Sequence, residues 1–403
     1  MWWRGYCNCI DFRKLAMLLR SLNDTRACLL ILLAAVAAIP TTTTAQSSGF
    51  EVVAKGLEHP WAVAFMGDGR MLVTERPGRL RVVSATGALG EPVQGLPAID
   101  ARGQGGLLDV VVDSAFSQNR TLYFCFSEAA PSGQSGQSGN STALARAKLS
   151  GDARSLEAVQ VIFRQTPKFS SSAHFGCRIV EALKNGKPDG TLFLTLGDRF
   201  SRMQDAQTLD NHHGKVVRIG KDGSVPKDNP FVSKTGAKPE IWSYGHRNSQ
   251  GAALAPDGTL WTHEHGPQGG DEINQPQPGK NYGWPVITYG ENYGGGKIGE
   301  GLTAKAGMEQ PVHYWVPSIA PSGMAFVTSD QYGSAWRGNL LVGSLKFQYL
   351  NRIVLDGNKV VREEKLLTDL DQRIRDVRQG PDGLIYVLTD AGNGQLIRLL
   401  PTK

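Results

Sequence analysis

The stretch Ile241–Pro285 brings together side chains whose types could do chemistry. It holds the triplet His-Arg-Asn at residues 246–248, and Arg247 and Asn248 are fixed hydrogen-bond donors suited to a polar or anionic ligand. The loop HGPQGGDEIN follows at residues 265–274. Polar groups this dense, beside apolar strands that must be buried, usually mark a functional site rather than a plain surface.

The loop of residues 265–274 suits a calcium ion better than a zinc ion. Gly266 and Pro267 would expose backbone carbonyls, and Asp271 and Glu272 offer carboxylates. Oxygen ligands alone favour a hard cation. The pattern is not the helical calcium loop, so a loop without metal remains open as an alternative.

Two further groups of residues could bind or react. His174, in SSSAHFGCRIV, precedes an apolar strand, where one histidine is more often structural than a general base. Arg373 and Arg375 alternate on a predicted strand, so both guanidinium groups face one side. With Lys346 they would hold a polycarboxylate or a phosphate, the alternative being a solvated strand edge.

Several function classes are excluded by missing signals. The sequence has no nucleophile elbow, phosphate-binding loop, dinucleotide fingerprint or CxxC pair. Its net charge is +6, but the sequence lacks the run of Lys and Arg that would indicate nucleic acid as a partner. The adjacent histidines of NHHGK would face opposite ways on a strand, which disfavours a metal pair.

Residues 1–45 are predicted to be a secretory leader. The apolar run Ala27–Ile39 follows Arg20 and Arg26 and precedes small residues, and it is too short to span a bilayer comfortably, so no stable membrane anchor is expected. A periplasmic or secreted location follows. Cys125 and Cys177 remain after the leader, and either a disulfide or two buried thiols is compatible with the sequence.

A repeated phrase predicts how the rest of the chain positions these residues. A Pro- or Gly-Asp-Gly turn followed by a β-branched or aromatic strand begins at residues 67, 188, 256 and 381. This spacing gives a period near sixty residues and six repeats. Residues 46–403 are therefore predicted to form one all-β domain, a six-bladed β-propeller with four-stranded antiparallel blades. A two-sheet sandwich fits the repeat poorly.

The motifs taken in order resemble the soluble quinoprotein sugar dehydrogenases, the glucose and aldose enzymes that depend on pyrroloquinoline quinone (PQQ). The phrases that carry the resemblance are VTERPGRL, GQGGLLDV, AHFGCRIV, GKVVRIGKDGSVPKDNPF, YGHRNSQG, EHGPQGGDEIN, NYGWP, PSIAPSGM, LLVGSLK and RIRDV. They span nearly all of residues 51–400, and the long insertions of the larger glucose enzymes look absent.

The resemblance implies a role for each candidate residue. His174 would be the general base, and Arg247 would neutralise charge developing on the quinone. The cofactor would be held by Arg247, Asn248, Lys346, Arg373 and Arg375. The substrate would meet Gln104 and Asp271. One calcium ion would take the carbonyls of Gly266 and Pro267, and a second, structural calcium would take Glu272 and the carbonyl of Tyr282.

Three positions depart from the glucose enzymes. Ala173 stands where an acidic residue helps hold the sugar, His265 replaces a glutamine, and Val316 replaces a tryptophan beside the cofactor. A shallower site that accepts several aldoses is therefore our hypothesis.

The resulting prediction is a PQQ- and calcium-dependent aldose dehydrogenase that forms lactones. The expected partners are small aldose sugars and an external electron acceptor, which could be a dye, a quinone or a cytochrome, and the expected state is a monomer or homodimer. The alternatives are a calcium-dependent propeller lactonase or similar hydrolase, which needs a clear Asp/Asn/Glu cluster around one metal, and a non-catalytic ligand-binding propeller.

Overall fold

The computed structural model describes residues 49–131 and 139–401. The leader predicted at residues 1–45 lies outside this part of the chain. None of the helices in the described ranges is both long enough and apolar enough to cross a membrane.

The described residues form six four-stranded antiparallel sheets, which confirms the predicted six-bladed propeller. Each blade takes consecutive strands, except that the last blade recruits the first strand of the chain. Blade 1 contains β2 (Pro60–Phe65), β3 (Met71–Glu75), β4 (Arg79–Val83) and β5 (Leu89–Pro92). Blade 2 contains β6 (Leu107–Val112), β7 (Thr121–Ala129), β8 (Asn140–Leu149) and β9 (Leu156–Arg164). Blade 3 contains β10 (Gly176–Lys184), β11 (Lys187–Leu196), β12 (Lys215–Gly220) and β13 (Ile241–Tyr244).

The second half of the ring repeats the pattern. Blade 4 contains β14 (Ser249–Leu254), β15 (Leu260–Glu264), β16 (Asp271–Asn274) and β17 (His313–Trp315). Blade 5 contains β18 (Pro321–Phe326), β19 (Leu340–Ser344), β20 (Leu350–Asp356) and β21 (Lys359–Leu366). Blade 6 contains β22 (Ile374–Gln379), β23 (Ile385–Thr389), β24 (Gly394–Leu399) and β1 (Phe50–Leu57). One helical turn lies at Phe116–Asn119, and short 3-10 turns lie at Met203–Gln207, Ser334–Trp336 and Thr368–Leu370.

The repeated phrase forms the turn between the first and second strands of blades 1, 4 and 6. In blade 3 the phrase at Pro188–Gly190 lies at the start of β11 instead, and the turn is formed by Asn185 and Gly186. At one of these turns Asp257 Oδ1 accepts a bond of 2.9 Å from the amide of Thr259, and Gly258 has φ +87°. That backbone conformation favours glycine, which explains the recurring Asp-Gly. The second strand of each blade runs away from this turn, so its far end opens on the opposite face.

Pairing of β1 with β24 closes the ring, with Phe50 opposite Leu399 and Leu57 opposite Gly394. The inner strands β2, β6, β10, β14, β18 and β22 surround a central channel. Paired charges fill part of it, because Arg178 Nη1 lies 2.8 Å from Asp376 and 3.4 Å from Asp109. Such buried charges are tolerated only when they are paired.

Cys125 in β7 and Cys177 in β10 form a disulfide, which settles the alternative left open by the sequence. Both residues are fully buried. The bond joins blade 2 to blade 3 three residues after His174.

Candidate active site

A cavity of about 700 Å³ opens at the face where the second strands of the blades end. It brings together five residues that the sequence predicts to bind cofactor or substrate, although they come from four different blades or their connecting loops. These are Gln104, Asn248, Lys346, Arg373 and Arg375. His174 and Arg247 lie directly beside the cavity and are each 4% exposed.

The wall formed by the last two blades is positively charged. Arg375 Nη2 lies 2.9 Å and Arg373 Nη2 lies 3.3 Å from the same carboxylate oxygen of Asp390. Burial lowers the pKa of Arg375, and the neighbouring Asp390 opposes this effect. With Lys346 there are three cations against one carboxylate, so this wall suits a ligand with several carboxylates.

Asn248 is held in place by its neighbours. Its Oδ1 accepts bonds of 3.2 Å from the Gly176 amide and from Gln250 Nε2. The Asn248 amide nitrogen keeps its donor capacity for a ligand because the oxygen is occupied. Gln250 also lines the cavity and was not among the predicted residues.

His174 forms a dyad with a residue that the sequence analysis missed. Its Nδ1 lies 2.6 Å from Asp198 Oδ1, and Trp284 Nε1 donates to Asp198 Oδ2 at 2.8 Å. A carboxylate can only accept, so the proton of a neutral imidazole sits on Nδ1 and Nε2 carries the lone pair. Gln104 Oε1 accepts a bond of 2.9 Å from the His174 amide, which links the dyad to the cavity wall.

The protonation state of His174 follows from its surroundings. Burial lowers the pKa of His174, and Asp198 partly offsets this by stabilising the imidazolium. The imidazole is therefore neutral at pH 7, and its free nitrogen can accept a proton.

Arg199 clamps the segment that carries His174. Its Nη1 donates to the carbonyls of Ala173 at 2.8 Å and His174 at 3.2 Å, and its Nη2 donates to Ser171 at 2.7 Å. The guanidinium carbon lies 3.7 Å from the centre of the Phe175 ring. Burial lowers the pKa of Arg199 to about 10. Arg199 thus fixes the backbone of the base, since His174 itself sits at φ +53°.

Arg247 is fixed by the loop of residues 265–274. Its Nη1 donates to the carbonyls of Gly266 at 2.7 Å and His265 at 3.0 Å, while its guanidinium lies 5.2 Å from the Trp284 ring. The Gly266 oxygen keeps a second lone pair, and Pro267, the next residue, is buried. His265 lines the cavity, and its Nε2 is 2.6 Å from the carbonyl of Pro321, the acceptor to which it donates.

Asp271 does not line the cavity, although the sequence predicts it as a substrate contact. Its Oδ1 accepts a bond of 2.9 Å from Gly266, and its Oδ2 accepts bonds of 2.7 Å, 2.8 Å and 2.9 Å. Those three donors are Ser318 Oγ and the amides of Ile319 and Ala320. In this structure Asp271 ties two loops together from behind the cavity.

Glu272 lies away from the cavity, next to a second carboxylate. It pairs across the sheet with Glu264, and burial first, then the Glu264 charge, raises the pKa of Glu272 well above its usual value. Asn274 Nδ2 donates to both carboxylates, while its buried Oδ1 has no hydrogen-bond partner. Glu264 is also bonded to His246 and to the Arg247 amide, so the unmet acceptor capacity lies on the Asn274 oxygen beside Glu272. An amide oxygen next to two carboxylates has the donor chemistry of a calcium site.

Tyr282 contacts the Glu264–Glu272 pair indirectly, through His246. Its ring stacks on His246 at 4.8 Å, and His246 Nδ1 lies 3.0 Å from Glu264. Across the two described ranges, no set of three or more His, Cys, Asp or Glu side chains is close enough to hold a metal. Any calcium here would therefore depend on carbonyl and amide oxygens as well.

Two of the missed residues, Asp198 and Asp390, share a signal in the sequence. They follow the second strand of a repeat, in TLFLTLGD and LIYVLTD, as the already noted His265 does in TLWTHEH. Because every such strand ends at the cavity face, the residue after it is placed at the mouth. Reading the repeat to its far end would have found them.

Comparison with known proteins gives a consistent result. The model of the family described as Glucose / Sorbosone dehydrogenase matches residues 57–398. The chain is 47% identical over 354 residues to the aldose sugar dehydrogenase YliI of Escherichia coli (strain K12), covering 87% of this chain and 92% of the relative.

Solved structures agree with the fold and the family. The apo form of the soluble aldose sugar dehydrogenase from Escherichia coli matches with a TM-score of 0.82 and 44% identity, covering 88% of this chain and all of that one. The PQQ-bound aldose sugar dehydrogenase of Streptomyces coelicolor matches with a TM-score of 0.69 and 26% identity, covering 88% and 98%.

Proposed function

The chain belongs to the glucose/sorbosone dehydrogenase family, an oxidoreductase family, and on that premise we propose that it oxidises aldoses at C1 to lactones with PQQ and calcium. The electrons then pass to an external acceptor. The observation that carries the proposal is the His174–Asp198 dyad beside a cationic cavity of about 700 Å³.

The residues present fit a bound PQQ molecule. Its three carboxylates match the cations Lys346, Arg373 and Arg375, and Asn248 offers a preset amide donor. When bound, PQQ supplies the electrophilic quinone carbon that accepts a hydride, and calcium polarises that quinone. The carbonyls of Gly266 and Pro267 would hold this ion, next to the cavity.

His174, Asp198 and Arg247 would each act on a different charge that develops in the reaction. His174 Nε2 accepts the proton of the anomeric hydroxyl, and Asp198 stabilises the imidazolium that results. Arg247 supplies a permanent cation, already held by two carbonyls, near the place where reduction builds up negative charge. Fixing both groups before substrate arrives avoids reorganisation during the reaction.

The remaining predicted residues complete the proposal. Gln104, whose side chain binds the His174 amide from the cavity wall, would contact the sugar. Asp271 would act on the sugar only through the loops that it ties together. Glu272, with Tyr282, would belong to a second, structural calcium site. A periplasmic or secreted location is supported by the buried Cys125–Cys177 disulfide, since such bonds persist in oxidising compartments.

Dye reduction by the reconstituted protein tests the proposal. The purified chain is loaded with PQQ and calcium and offered glucose, galactose, xylose and disaccharides. His174→Ala should lower kcat by about 10²–10⁴-fold, the usual worth of a general base, without loss of PQQ binding. His212→Ala is the matched control, because that buried histidine contacts Thr166 and Glu240 instead. PQQ binding without reduction by any aldose would refute the assignment.

A further inference from the structure

A buried arginine in the central channel supports several residues that line the cavity. One of them is Trp61, which is 3% exposed. The guanidinium carbon of Arg178 lies 4.1 Å from the centre of the Trp61 ring, and that of Arg375 lies 5.9 Å from it. Contacts between a guanidinium group and an indole are strongest when both are shielded from water. Trp61 therefore connects Arg178 in the channel with Arg375 in the cationic wall.

Arg178 also holds the backbone of two residues that line the cavity. Its Nε donates to the carbonyl of Gln250 at 2.7 Å, and its Nη2 donates to the carbonyl of Arg375 at 3.3 Å. Gln250 lies on β14 and Arg375 on β22, the inner strands of blades 4 and 6. Since the donors of a guanidinium group point in fixed directions, Arg178 determines how these two strands are spaced.

The two carboxylates that pair with Arg178 extend this contact to other blades. Its Nη1 lies 2.8 Å from Asp376 Oδ1, and Asp376 Oδ2 accepts a bond of 3.1 Å from the amide of Val63 in blade 1. Asp109, at 3.4 Å from Nη1, belongs to blade 2. Blade 5 approaches so closely that a Cβ at Gly323 would lie 2.5 Å from Asp376 Oδ1. The inner strands of all six blades thus meet at Arg178 and its two carboxylates.

Stability alone is a weak reason for this arrangement. A buried ion pair often contributes no more than well-packed apolar side chains of the same volume. Apolar side chains do not fix directions, whereas each donor of Arg178 is assigned to a particular strand. The arrangement therefore specifies where the residues that line the cavity lie.

We propose that Arg178 is a positioning residue for the cofactor, which acts through its cavity-lining neighbours and does not contact the cofactor itself. This rests on the proposed function, which places PQQ in the cavity. Arg375 supplies one of the cations that match the PQQ carboxylates, and Gln250 Nε2 holds the Asn248 side chain at 3.2 Å. Displacement of β14 and β22 would therefore misplace both a cation and an amide donor for the ligand.

PQQ affinity tests this role. The dissociation constant of PQQ is measured by titration of the purified chain in the presence of calcium and without sugar. Arg178→Lys keeps the charge but offers one nitrogen in place of three. Kd should rise about tenfold, by analogy with residues that orient metal ligands from behind. An unchanged Kd in the folded variant overturns the inference.

Arg352 offers a matched control. It is 7% exposed, its guanidinium carbon lies 4.3 Å from the Trp336 ring, and it donates to the Ala335 carbonyl and to Glu364, each at 2.7 Å. These contacts lie within blade 5 and its connections, away from the cavity. Arg352→Lys should lower Tm about as much as Arg178→Lys and leave the Kd of PQQ unchanged. An equal rise in Kd for both variants would reflect lost stability and overturn the positioning role.

Two further variants make the test independent of how well Arg178→Lys folds. Trp61→Leu leaves the ion pairs intact and should raise Kd about threefold, the value of one cation–π contact. If Arg178→Lys does not fold, an unchanged Kd in Trp61→Leu overturns the inference. Arg375→Lys should raise Kd by a smaller factor in the Arg178→Lys background than in the wild type, because both changes displace the same cation. Equal factors would show that Arg178 does not act through Arg375.

The titration also separates this inference from the proposed function, because without sugar it reports binding alone. A wild-type chain that binds PQQ more tightly than Arg178→Lys but oxidises no aldose supports the positioning role and counts against the dehydrogenase alone. Aldose oxidation with equal Kd in both proteins does the reverse. A wild-type chain that binds no PQQ refutes both.

Discussion

The pocket around His174 and the carboxylate pair Glu264–Glu272 lie on neighbouring blades and use similar residues. They differ in how fully their polar atoms are hydrogen-bonded. Around His174, Asp198 accepts three hydrogen bonds and Arg199 donates to three backbone carbonyls. At the pair, two carboxylates lie together, and the oxygen of Asn274 has no partner. The first region is preorganised by the chain alone, whereas the second has the chemistry of a site completed by a cation.

Removing the carboxylate of the first region should have the largest effect. Asp198→Asn keeps the shape but no longer fixes the proton on Nδ1 or stabilises an imidazolium. We expect kcat to fall about 10³–10⁴-fold, as in other histidine–carboxylate pairs, with little change in PQQ binding. Steady-state dye reduction and a PQQ titration measure both, and a loss below tenfold would show that the dyad is not essential.

Removing the Arg199 guanidinium is the next test of preorganisation around His174. Arg199→Met leaves the carbonyls of Ser171, Ala173 and His174, which are buried or half-buried, without their donor and should cost about 3 kcal/mol of unfolding free energy. It should also lower kcat more than it changes KM. Urea unfolding and kinetics measure these effects, with Arg337→Met, an exposed arginine paired with Asp330, as the control. Loss of stability with unaltered kcat would limit Arg199 to a structural role.

The carboxylate pair should respond to calcium. At a free calcium concentration a hundredfold above Kd, the wild-type chain should gain about 2.7 kcal/mol, because only the folded state binds the ion. Glu272→Gln should reduce this gain, whereas Glu157→Gln, on the exposed outer strand of blade 2, should not. Thermal unfolding with and without calcium provides the comparison. Equal gains in all three proteins would place the ion elsewhere.

The smallest expected effect is on pH dependence. Burial lowers the pKa of His174, so the acid limb of kcat/KM should lie below pH 6.5, where the base becomes protonated. Asp198 raises that pKa, so in Asp198→Asn the residual activity should have its acid limb at still lower pH. A pH profile of both proteins checks the sign, and a shift to higher pH in the variant would contradict this electrostatic account.

The same comparison shows what the sequence could and could not predict. The Asp-Gly turns repeat along the chain, so the blade count followed from local patterns. Cysteine pairing and the partners of Asp198 depend on segments of different blades and their connections, which come together only when neighbouring blades pack. Asp271 illustrates the limit, because its Oδ2 is occupied by donors at residues 318–320, and its loop sequence alone does not reveal them.

The departures from the glucose enzymes also have a physical reading. His265 stays beside the cavity but is bonded to the carbonyl of Pro321, and Val316 is 62% exposed. Ala173 contributes its carbonyl to Arg199 rather than a side chain to the cavity. These positions are compatible with the hypothesis of a less confined site.

The pairing of β1 with β24 has a consequence for how the protein folds. Phe50 must find Leu399, so the last blade joins the two ends of the described chain, a contact of very high sequence separation. Contacts of this kind are slow to form because a long loop must close first. Arg375 of the last blade and Trp61 of the first blade line the same cavity, so the cavity is completed only when the ring closes. PQQ binding should therefore begin only at the last step of folding, and bound PQQ should stabilise the closed ring.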